Sequence, residues 1–393
     1  MSQPRKRRVV LLGSTGSIGR STLKVAAHLP DHIELVGLAA AGSIELLAQQ
    51  VRATGVRQVA LHDASKEAAL RALLPSGVQI HVGAEGLLQL ATLAEADIVL
   101  VAIVGTAGLH PALAAIEAGK DLAIASKEIL VMAGELITTA ATRHGVKLLP
   151  VDSEHNAIFQ CLDGQRDGAE AVARLVLTAS GGPFRTLPAA DLARVTPAQA
   201  LCHPTWEMGP KVTIDSATLF NKGLEMIEAR WLFGIGMDRI DVLVHPQSIV
   251  HSMVEFRDGS LLAQLSRTDM CFPIQYALTW PERVAGGLRA PDFTALAKLE
   301  FEAPREDVFP ALGLARRAGL CGGTLPAVFN AANEVAVAAF RSGHLGFPGI
   351  WACVAAAMDA HQVQASSSLA AVLAADLWAR DAASTFCQQS AGT

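Results

Sequence analysis

The 393-residue sequence predicts an α/β protein with an N-terminal sheet domain, a central α/β domain and a C-terminal helical bundle. Short apolar runs alternate with Ala-, Leu- and Glu-rich stretches through the first 150 residues, a pattern typical of a parallel sheet with helices on both faces. A strong hairpin signal follows in the central part, and from Ala311 onward the chain is Ala- and Leu-rich with helical periodicity. The predicted segments are 1–150, 151–284, a linker at 285–311, and 312–393.

Composition excludes several classes of partner. A hydrophobic fraction of 51% and a net charge of −5 indicate a compact chain without the basic surface that nucleic acid or an acidic membrane requires. The basic run Arg5–Arg8 leads straight into Val9–Leu12 without the apolar core of a signal peptide, and the apolar run near Ile98–Leu109 is shorter than the roughly 20 residues of a membrane span. Six scattered cysteines without a CxxC pair fit reduced thiols. We expect a cytoplasmic protein.

The first strand signal, Val9–Leu12, runs into the glycine-rich turn GSTGSIG at 13–19, and a helix is predicted over Arg20–Leu29. Glycines in this context allow a tight turn and close approach of the backbone to a pyrophosphate, which the N–H groups at the helix start can bind. We therefore predict a Rossmann-like domain that binds a dinucleotide. The alternative is a purely structural glycine turn.

The second predicted strand, Ile33–Leu38, ends in AAAGS at 39–43. An acid here would hold the ribose 2′-hydroxyl of NAD, and a basic residue would accept the 2′-phosphate of NADP. The chain has neither, and the lack of an acid favours NADP, with Ser43 as a donor to the phosphate. Arg52 and Lys66 lie too far along the chain to be assigned.

Further strands are predicted at Gln58–Leu61, Ile98–Val104 and Leu122–Ala125. The last of them is followed by Ser126-Lys127-Glu128, at the edge where open α/β sheets bind ligands. Lys127 is predicted to reach the cofactor or the substrate. The alternative is a helix-capping serine beside a solvated Lys–Glu pair.

The segment PVDSEHNAIFQ, which begins at Pro150, places two carboxylates two positions apart. On an extended strand Asp152 and Glu154 would project from the same face, and such hard oxygen ligands suit Mg²⁺ or Mn²⁺. The alternative is that Asp152 caps a helix over His155–Leu162, with Glu154 in the first turn.

A strand predicted over Ala173–Thr178 runs into ASGGPFR, where Ser180 and two glycines form a turn able to present N–H groups to an anion. The most polar segment of the chain follows. Within it, residues 203–210 are predicted to form a mobile loop that carries Trp206 and Met208 over a site. The alternative is a plain connecting loop with a packed tryptophan.

Asp215–Thr218 marks a predicted helix start, and Asn221, Lys222 and Glu225 cluster within one turn of that helix. We predict that Asn221 and Lys222 bind a substrate phosphate and that Glu225 supplies a third carboxylate to the metal. The alternative is a surface ion pair, which contributes little to stability.

Strands are predicted at 240–244, 245–259 and 260–265, with Asp258-Gly259 as a hairpin turn at an edge suited to dimer contacts. His245 and His251 are interpreted as structural. In the C-terminal bundle, three polar residues are interpreted as packing or capping groups: Asn330, Asn333 and Glu334.

Seven motifs in this order resemble those of the 1-deoxy-D-xylulose 5-phosphate reductoisomerase family: GSTGSIG, ASKE, VDSEHNAIFQ, SGGPFR, HPTWEMGPK, NKGLEMIEARWLF and HPQSIVHSMVEF. The resemblance extends over nearly the whole chain. It implies an enzyme dependent on NADPH and one divalent ion, Mg²⁺ or Mn²⁺, that acts on a small phosphorylated sugar in the methylerythritol phosphate route to isoprenoid precursors. It also implies a homodimer.

The resemblance also implies roles for individual residues. The implied metal ligands are Asp152, Glu154 and Glu225, and the implied catalytic residues are Lys222, Glu154 and His203. Implied substrate contacts are Ser153, Glu154, Ser180, His203, Ser216, Asn221, Lys222, Glu225, Lys127 and Trp206. Implied cofactor contacts are Thr15, Gly16, Ser17, Ile18, Ala41, Gly42, Ser43, Ser126, Lys127, Glu128, Gly209 and Met270.

The chain departs from the family pattern at two places. AAAGS stands where many members carry a basic residue and Asn, and ASKE replaces the commoner ANKE, so that Ser126 takes the place of an amide. Two rival functions stay open. One is another NAD(P)-dependent oxidoreductase for a phosphorylated sugar or semialdehyde, which leaves the three carboxylates unexplained, and the other is a nucleotide-binding protein without activity.

Overall fold

The computed structural model describes residues 6–165 and 167–390, and Arg5 of the basic run lies outside this part. Its strands are β1 (Arg7–Leu12), β2 (Ile33–Ala40), β3 (Gln58–Leu61), β4 (Gln79–Val82), β5 (Ile98–Val101), β6 (Asp121–Ile124), β7 (Leu148–Pro150), β8 (Val172–Ala179), β9 (Ile240–Val244), β10 (Val250–Phe256) and β11 (Leu261–Leu265). Its helices are α1 (Ser17–His28), α2 (Ile44–Thr54), α3 (Glu67–Leu73), α4 (Gly83–Ala91), α5 (Leu109–Glu117), α6 (Glu128–His144), α7 (Ser153–Leu162), α8 (Pro197–Ala200), α9 (Pro210–Thr218), α10 (Phe220–Phe233), α11 (Cys271–Thr279), α12 (Phe293–Leu296), α13 (Ala311–Cys321), α14 (Leu325–Arg341), α15 (Gly349–Ala360) and α16 (Leu369–Ser390).

The chain folds as two compact units, each built from non-contiguous segments. The first unit contains the described residues up to Ile129 together with Ile137–Asn156 and Asp269–Arg289. The second contains Leu130–Leu136, Ala157–Thr268 and the described residues from Ala290 onward. The predicted boundaries at 150, 284 and 311 stay predictions about sequence segments. Sequence composition gives no sign that a later segment, such as Asp269–Arg289, packs in the first unit.

The first unit is organised around a seven-stranded sheet in the order β4-β3-β2-β1-β5-β6-β7, and all its strand pairs are parallel. Val9–Leu12 in β1 are completely buried, as expected of a central strand covered on both faces. The strand order reverses on either side of β1, and such switch points are where open α/β sheets bind ligands. The predicted Rossmann-like domain is confirmed.

The second unit contains a four-stranded sheet in the order β11-β10-β8-β9. Strand β10 pairs antiparallel with β8 and β11, while β8 and β9 are parallel. The predicted hairpin turn lies between β10 and β11, where Gly259 has a φ of 84° and Asp258 Oδ1 accepts a hydrogen bond of 2.9 Å from Ser260 N. The edge strand β11 exposes Leu261 and Leu262.

The C-terminal part of the second unit is the predicted helical bundle. Helix α14 packs against α13, α15 and α16, and its small residues Ala327, Ala331 and Ala336 are completely buried. Aromatic rings fill the spaces around it, with the Phe220 and Phe329 centroids 5.3 Å apart. No helix among the described residues is long and apolar enough to span a lipid bilayer.

Two local predictions are wrong. Asp152 and Glu154 do not lie on an extended strand, since β7 ends at Pro150 and α7 begins at Ser153. Glu154 lies in the first turn of that helix, as the alternative predicted, while a capping role of Asp152 stays a prediction. Asp215–Thr218 does not start a helix either, because it forms the end of α9. Leu219, with a φ of 64°, separates α9 from α10, and a left-handed leucine is a break that no propensity predicts.

Two helical glycines differ in the space around them, so replacing each by alanine should change stability in opposite directions. A Cβ at Gly134 in α6 would lie 2.2 Å from Trp231 Cδ1, whereas one at Gly313 in α13 would meet nothing within 4 Å. Gly134→Ala should therefore lower the free energy of unfolding by about 1–3 kcal/mol. Gly313→Ala, the control, should raise it by roughly 0.5–1 kcal/mol. Urea unfolding of both variants measures this, and the reverse order would contradict the packing of α6 on Trp231.

Candidate active site

The first unit gathers most of the predicted cofactor residues at one edge of its sheet. They follow the carboxyl ends of β1, β2 and β6, and the carboxylate segment follows β7. Because the strands are parallel, these ends share one edge of the sheet. The sites at this edge comprise Thr15–Ile18, Ala41–Ser43, Ser126–Glu128 and Asp152–Glu154, and Met270 directly precedes α11.

The glycine-rich turn has the close contacts that its glycines predict. Gly13 has a φ of 95°, and a Cβ there would lie 2.5 Å from Ala102 O. A Cβ at Gly19 would lie 2.3 Å from Gly13 O. Gly16 precedes α1, whose first turn carries no acid and whose start has no side-chain cap. The helix start therefore offers N–H groups to an anion such as a pyrophosphate.

Ser126 and Lys127 are buried rather than solvated, so the predicted alternative of a solvated Lys–Glu pair is wrong. The Ser126 hydroxyl donates to Ile103 O, which leaves its oxygen as an acceptor. Lys127 forms an ion pair with Asp152, and both side chains are largely shielded from solvent.

Asp152 is held ionised. Burial opposes ionisation most strongly, but the positive charge of Lys127, together with His155 and the side-chain hydrogen bonds of Glu154 and Lys127, outweighs it and holds the pKa of Asp152 well below its usual range. Next to it, Ser153 Oγ donates a 2.5 Å hydrogen bond to Glu154 Oε2. The start of α7 thus presents two adjacent carboxylates, one of them paired with an ammonium group.

In the second unit, three predicted substrate residues meet. His203 Nε2 lies 2.9 Å from Ser180 Oγ and 3.0 Å from Ser216 Oγ. Gly182 brings the turn and α9 together, because a Cβ there would lie 2.8 Å from Ala217 Cα. Gly182 N also donates to Ser180 Oγ over 3.2 Å. The result is a compact set of hydroxyl and N–H groups without an acid among these contacts.

The hydrogen bonds of His203 fix its tautomer. Its Nδ1 accepts from the backbone N–H groups of Trp206 at 2.9 Å and Thr205 at 3.2 Å, so the proton of the neutral ring is on Nε2. Burial lowers the pKa of His203 to about 4, which keeps the ring neutral at physiological pH. His203 therefore joins the segment 203–209 to the two serines.

The loop ahead of α9 is the segment predicted to close over the site. Trp206 is half-buried, and its ring lies 6.1 Å from that of His251, centroid to centroid. Gly209 and Pro210 end the loop, because α9 begins at Pro210. The packed tryptophan fits the simpler alternative equally well, so closure stays a prediction.

On α10 the charged cluster is buried, which makes the predicted alternative of a surface ion pair wrong. Glu225 is completely buried and Lys222 is 3% exposed. Lys222 Nζ donates to Glu225 Oε2, and Asn221 Nδ2 donates to Glu225 Oε1 over 2.6 Å. Both carboxylate oxygens are thus engaged, as a buried charge requires.

Family models match three segments that together span most of the chain. They are 1-deoxy-D-xylulose 5-phosphate reductoisomerase over residues 9–134, the 1-deoxy-D-xylulose 5-phosphate reductoisomerase C-terminal domain over 148–233, and the DXP reductoisomerase C-terminal domain over 265–382. The 1-deoxy-D-xylulose 5-phosphate reductoisomerase of Symbiobacterium thermophilum is 55% identical over 96% of this chain and 98% of its own length. This chain belongs to the 1-deoxy-D-xylulose 5-phosphate reductoisomerase family.

Other members of the reductoisomerase family agree in sequence and structure. The Geobacter metallireducens enzyme is 52% identical over 95% of this chain and 97% of its own length. The solved Zymomonas mobilis reductoisomerase, in complex with NADPH, is 45% identical with a TM-score of 0.92, covering 98% of this chain and 100% of that one. A DOX-P reductoisomerase solved with NADPH, fosmidomycin and magnesium is 38% identical with a TM-score of 0.92, covering 97% and 98%. The family predicted from the motifs is confirmed.

The structure adds contacts that the spacing of residues in the sequence could not reveal. Asp215, only 1% exposed, pairs with Lys211 at 2.7 Å and accepts a 2.9 Å hydrogen bond from Asn333 Nδ2. Asn333 is 118 residues away in sequence, so no local signal could have found this contact. The network holds α9, which carries Ser216, against α14. A second addition is Lys66, whose ammonium group lies 3.0 Å from Gly42 O.

The lowered pKa of His203 predicts a pH dependence of stability. The group titrates near 6.5 when unfolded and near 4 when folded, so the unfolded state binds the proton first as the pH falls. The free energy of unfolding should therefore decrease from about pH 6.5 to about pH 4 and lose this part of its slope in His203→Gln. The NMR resonance of the His203 ring is identified by its absence from the spectrum of His203→Gln, and its pH titration in the unmodified chain gives the pKa of the folded state directly. A midpoint near 6.5 would contradict the burial of the ring.

Proposed function

We propose that this chain converts 1-deoxy-D-xylulose 5-phosphate to 2-C-methyl-D-erythritol 4-phosphate, by a rearrangement of the carbon skeleton followed by reduction with NADPH. The observation that carries the proposal is the buried pair Lys222 and Glu225 on α10, together with Asn221, which donates to the same carboxylate. Burial of an ammonium and a carboxylate costs several kcal/mol unless they are paired, so such a set indicates a function rather than a contribution to stability. In a member of this family it forms the NKGLE part of the family's motif.

The cofactor assignment rests on the turn after β1. The start of α1 is free of acids and the turn is closely packed, as a pyrophosphate site requires. We assign NADPH to this edge of the sheet, and two solved relatives are complexes with NADPH. The proposed contacts are Thr15, Gly16, Ser17, Ile18, Ala41, Gly42, Ser43, Ser126, Lys127, Glu128, Gly209 and Met270.

The proposed metal ligands are Asp152, Glu154 and Glu225. All three are carboxylates, the hard donors that Mg²⁺ and Mn²⁺ prefer, and two of them are paired with lysines. The ammonium groups of Lys127 and Lys222 lie beside Asp152 and Glu225, which shows that these carboxylates attract positive charge. The three carboxylates therefore fit a divalent ion as ligands. When bound, such an ion supplies Lewis-acid polarisation of adjacent keto and hydroxyl oxygens.

The phosphate of the substrate is assigned to Ser180, Ser216, Asn221 and Lys222. Because His203 Nε2–H donates to a serine oxygen, the hydroxyl protons of the two serines can turn towards an anion. Lys222 adds a positive charge and Asn221 an amide donor. Anchoring the phosphate lets remote binding energy orient the reacting carbons, and the proposed contact Ser153 adds a hydroxyl beside Glu154.

The catalytic residues that we propose are Glu154, His203 and Lys222. His203 acts as a neutral donor through Nε2, while its Nδ1 holds the N–H groups of the closing segment. Trp206 and Met208 of that segment would exclude water from the reacting atoms. Protein closure and substrate binding are thereby tied to one imidazole ring.

We also propose a homodimer that uses the edge of the four-stranded sheet. Strand β11 ends that sheet and exposes Leu261 and Leu262 at 52% and 43%. An exposed apolar edge strand is a template for pairing with a second chain. Location in the cytoplasm stays a prediction of the sequence.

The test of the function follows the loss of NADPH absorbance with 1-deoxy-D-xylulose 5-phosphate and Mg²⁺ or Mn²⁺. Glu225→Gln should lower turnover roughly a hundredfold or more, because a ligand charge on the metal is lost. Glu225→Asp keeps the charge but has a shorter side chain, so its turnover should lie between that of the unmodified chain and that of Glu225→Gln.

The matched control is Glu255→Gln, whose carboxylate pairs with Arg174 on an exposed surface and should leave turnover unchanged. Unfolding curves of every variant separate loss of the site from loss of the fold. Absence of metal-dependent NADPH oxidation by the unmodified chain would refute the proposed function, and NADPH binding without turnover would favour a nucleotide-binding protein.

A further inference from the structure

The turn after β2 lies where the cofactor's ribose is expected, yet AAAGS contains no basic side chain. A lysine from the next loop fills that position. Lys66 ends a short 3₁₀ turn, Ala64–Lys66, and its Nζ donates to Gly42 O over 3.0 Å. The positive charge missing from the turn is therefore supplied by a residue 24 positions further along.

Backbone hydrogen bonds hold the two loops together. Strands β2 and β3 are parallel with Ala40 opposite Leu61, so both end at the same edge. Beyond the strands, His62 N donates to Ala40 O over 3.0 Å and Asp63 N donates to Ala41 O over 2.8 Å. The base of the Lys66 loop is thus fixed to the turn it covers, although the lysine side chain itself is 47% exposed.

Gly42 gives the ammonium group its room. A Cβ at Gly42 would lie 3.1 Å from Lys66 Nζ, closer than side chains normally approach. Ser43 follows as the N-cap of α2 and makes no capping hydrogen bond through its side chain. An exposed ammonium and an exposed hydroxyl thus lie at the turn, and each can donate to an anion. The start of the 11-residue helix α2 adds N–H groups, but Glu45 in its first turn carries a negative charge that opposes an anion there, so the lysine carries the assignment.

An acid stands nearby and has to be weighed. Asp63 Oδ2 lies 3.6 Å from Lys66 Nζ, and an acid in this region could accept the ribose 2′-hydroxyl of NADH. However, Asp63 Oδ1 already accepts from Ser65 N at 3.2 Å and Ser65 Oγ at 2.6 Å, which directs the carboxylate into its own loop. The lysine, by contrast, lies on the turn.

We propose that Lys66 recognises the 2′-phosphate of NADPH in this chain and thereby sets its preference for NADPH over NADH. The assignment rests on the proposed function only in taking NADPH as the cofactor. It makes Lys66 a specificity-determining residue that replaces the basic residue missing from AAAGS.

The test uses nucleotide fragments, so that neither metal nor sugar phosphate nor turnover enters the result. Calorimetric titration measures the Kd of adenosine 2′,5′-bisphosphate, which carries the 2′-phosphate, and of 5′-AMP, which does not. Lys66→Met should weaken the bisphosphate roughly tenfold to a hundredfold and leave 5′-AMP unchanged, since one charged hydrogen bond is lost. Lys66→Arg should restore most of the affinity.

Arg71→Met is the matched control. It removes one positive charge from α3, where Arg71 pairs with Glu67 on the exposed surface, and should leave both affinities unchanged. Equal weakening by Lys66→Met and Arg71→Met, or no weakening by either, would overturn the assignment. Weaker 5′-AMP binding in Asp63→Asn, with the bisphosphate unaffected by Lys66→Met, would show that the acid recognises the 2′-hydroxyl instead.

The outcome is separable from that of the proposed function. Bisphosphate binding that depends on Lys66, in a chain that does not turn over the sugar phosphate, would refute the proposed reaction and leave the Lys66 assignment standing. Failure of the unmodified chain to bind either nucleotide would overturn the Lys66 assignment, while the oxidation assay with whole NADPH would still decide the proposed function. In the active enzyme the ratio of KM for NADPH to KM for NADH should rise in Lys66→Met, while kcat with saturating NADPH changes little.

Discussion

Compensation of buried carboxylates by lysines is the constraint on which the rest of the site depends. Asp152 pairs with Lys127, Asp215 with Lys211, and Glu225 with Lys222, each pair within one of the compact units. An unpaired charge at such depth would be neutralised or would unfold its surroundings. Each of these acids therefore requires an ammonium group close to it in the fold. The Lys211–Asp215 pair even runs against the dipole of α9, with the cation near the helix start, so packing alone does not explain it.

Backbone close approach is the second organising requirement of the site. Gly13 allows the glycine-rich turn to contact Ala102 after β5, Gly19 allows the first turn of α1 to contact Gly13, and Gly182 allows a turn to contact α9. At each of these places a methyl group would collide with backbone atoms, which cannot move aside as a side chain can. The polar groups that would face ligands are consequently held by main-chain geometry, and His203 then joins a loop to two hydroxyl groups through its two ring nitrogens.

Much of this could be predicted from the sequence, and the failures have physical reasons. The parallel sheet, the β10–β11 hairpin and the helical bundle were predictable because each has a local periodicity or turn signal. The α9–α10 break was not, since Leu219 adopts a left-handed conformation that leucine disfavours. The contacts Lys66–Gly42 and Asp215–Asn333 depend on tertiary proximity, and one sequence without an alignment carries no sign of them. Most of the motif residues were found because their motifs resemble those of a known family, and Asn221, Lys222 and Glu225 were found also because they share one helical turn.

The return of the chain to its first unit has a consequence for synthesis on the ribosome. Helix α11 lies far along the sequence, yet it packs on α1 and β7, and Pro273 O accepts a hydrogen bond from Asn156 Nδ2. A nascent chain that has emerged only as far as β11 therefore lacks α11, and the part of α1 that α11 covers in the folded protein is exposed. Exposed apolar surface in such partly synthesised chains favours association with chaperones or with other chains. The first unit can consequently complete its packing only after residues 157–268 of the second unit have been synthesised.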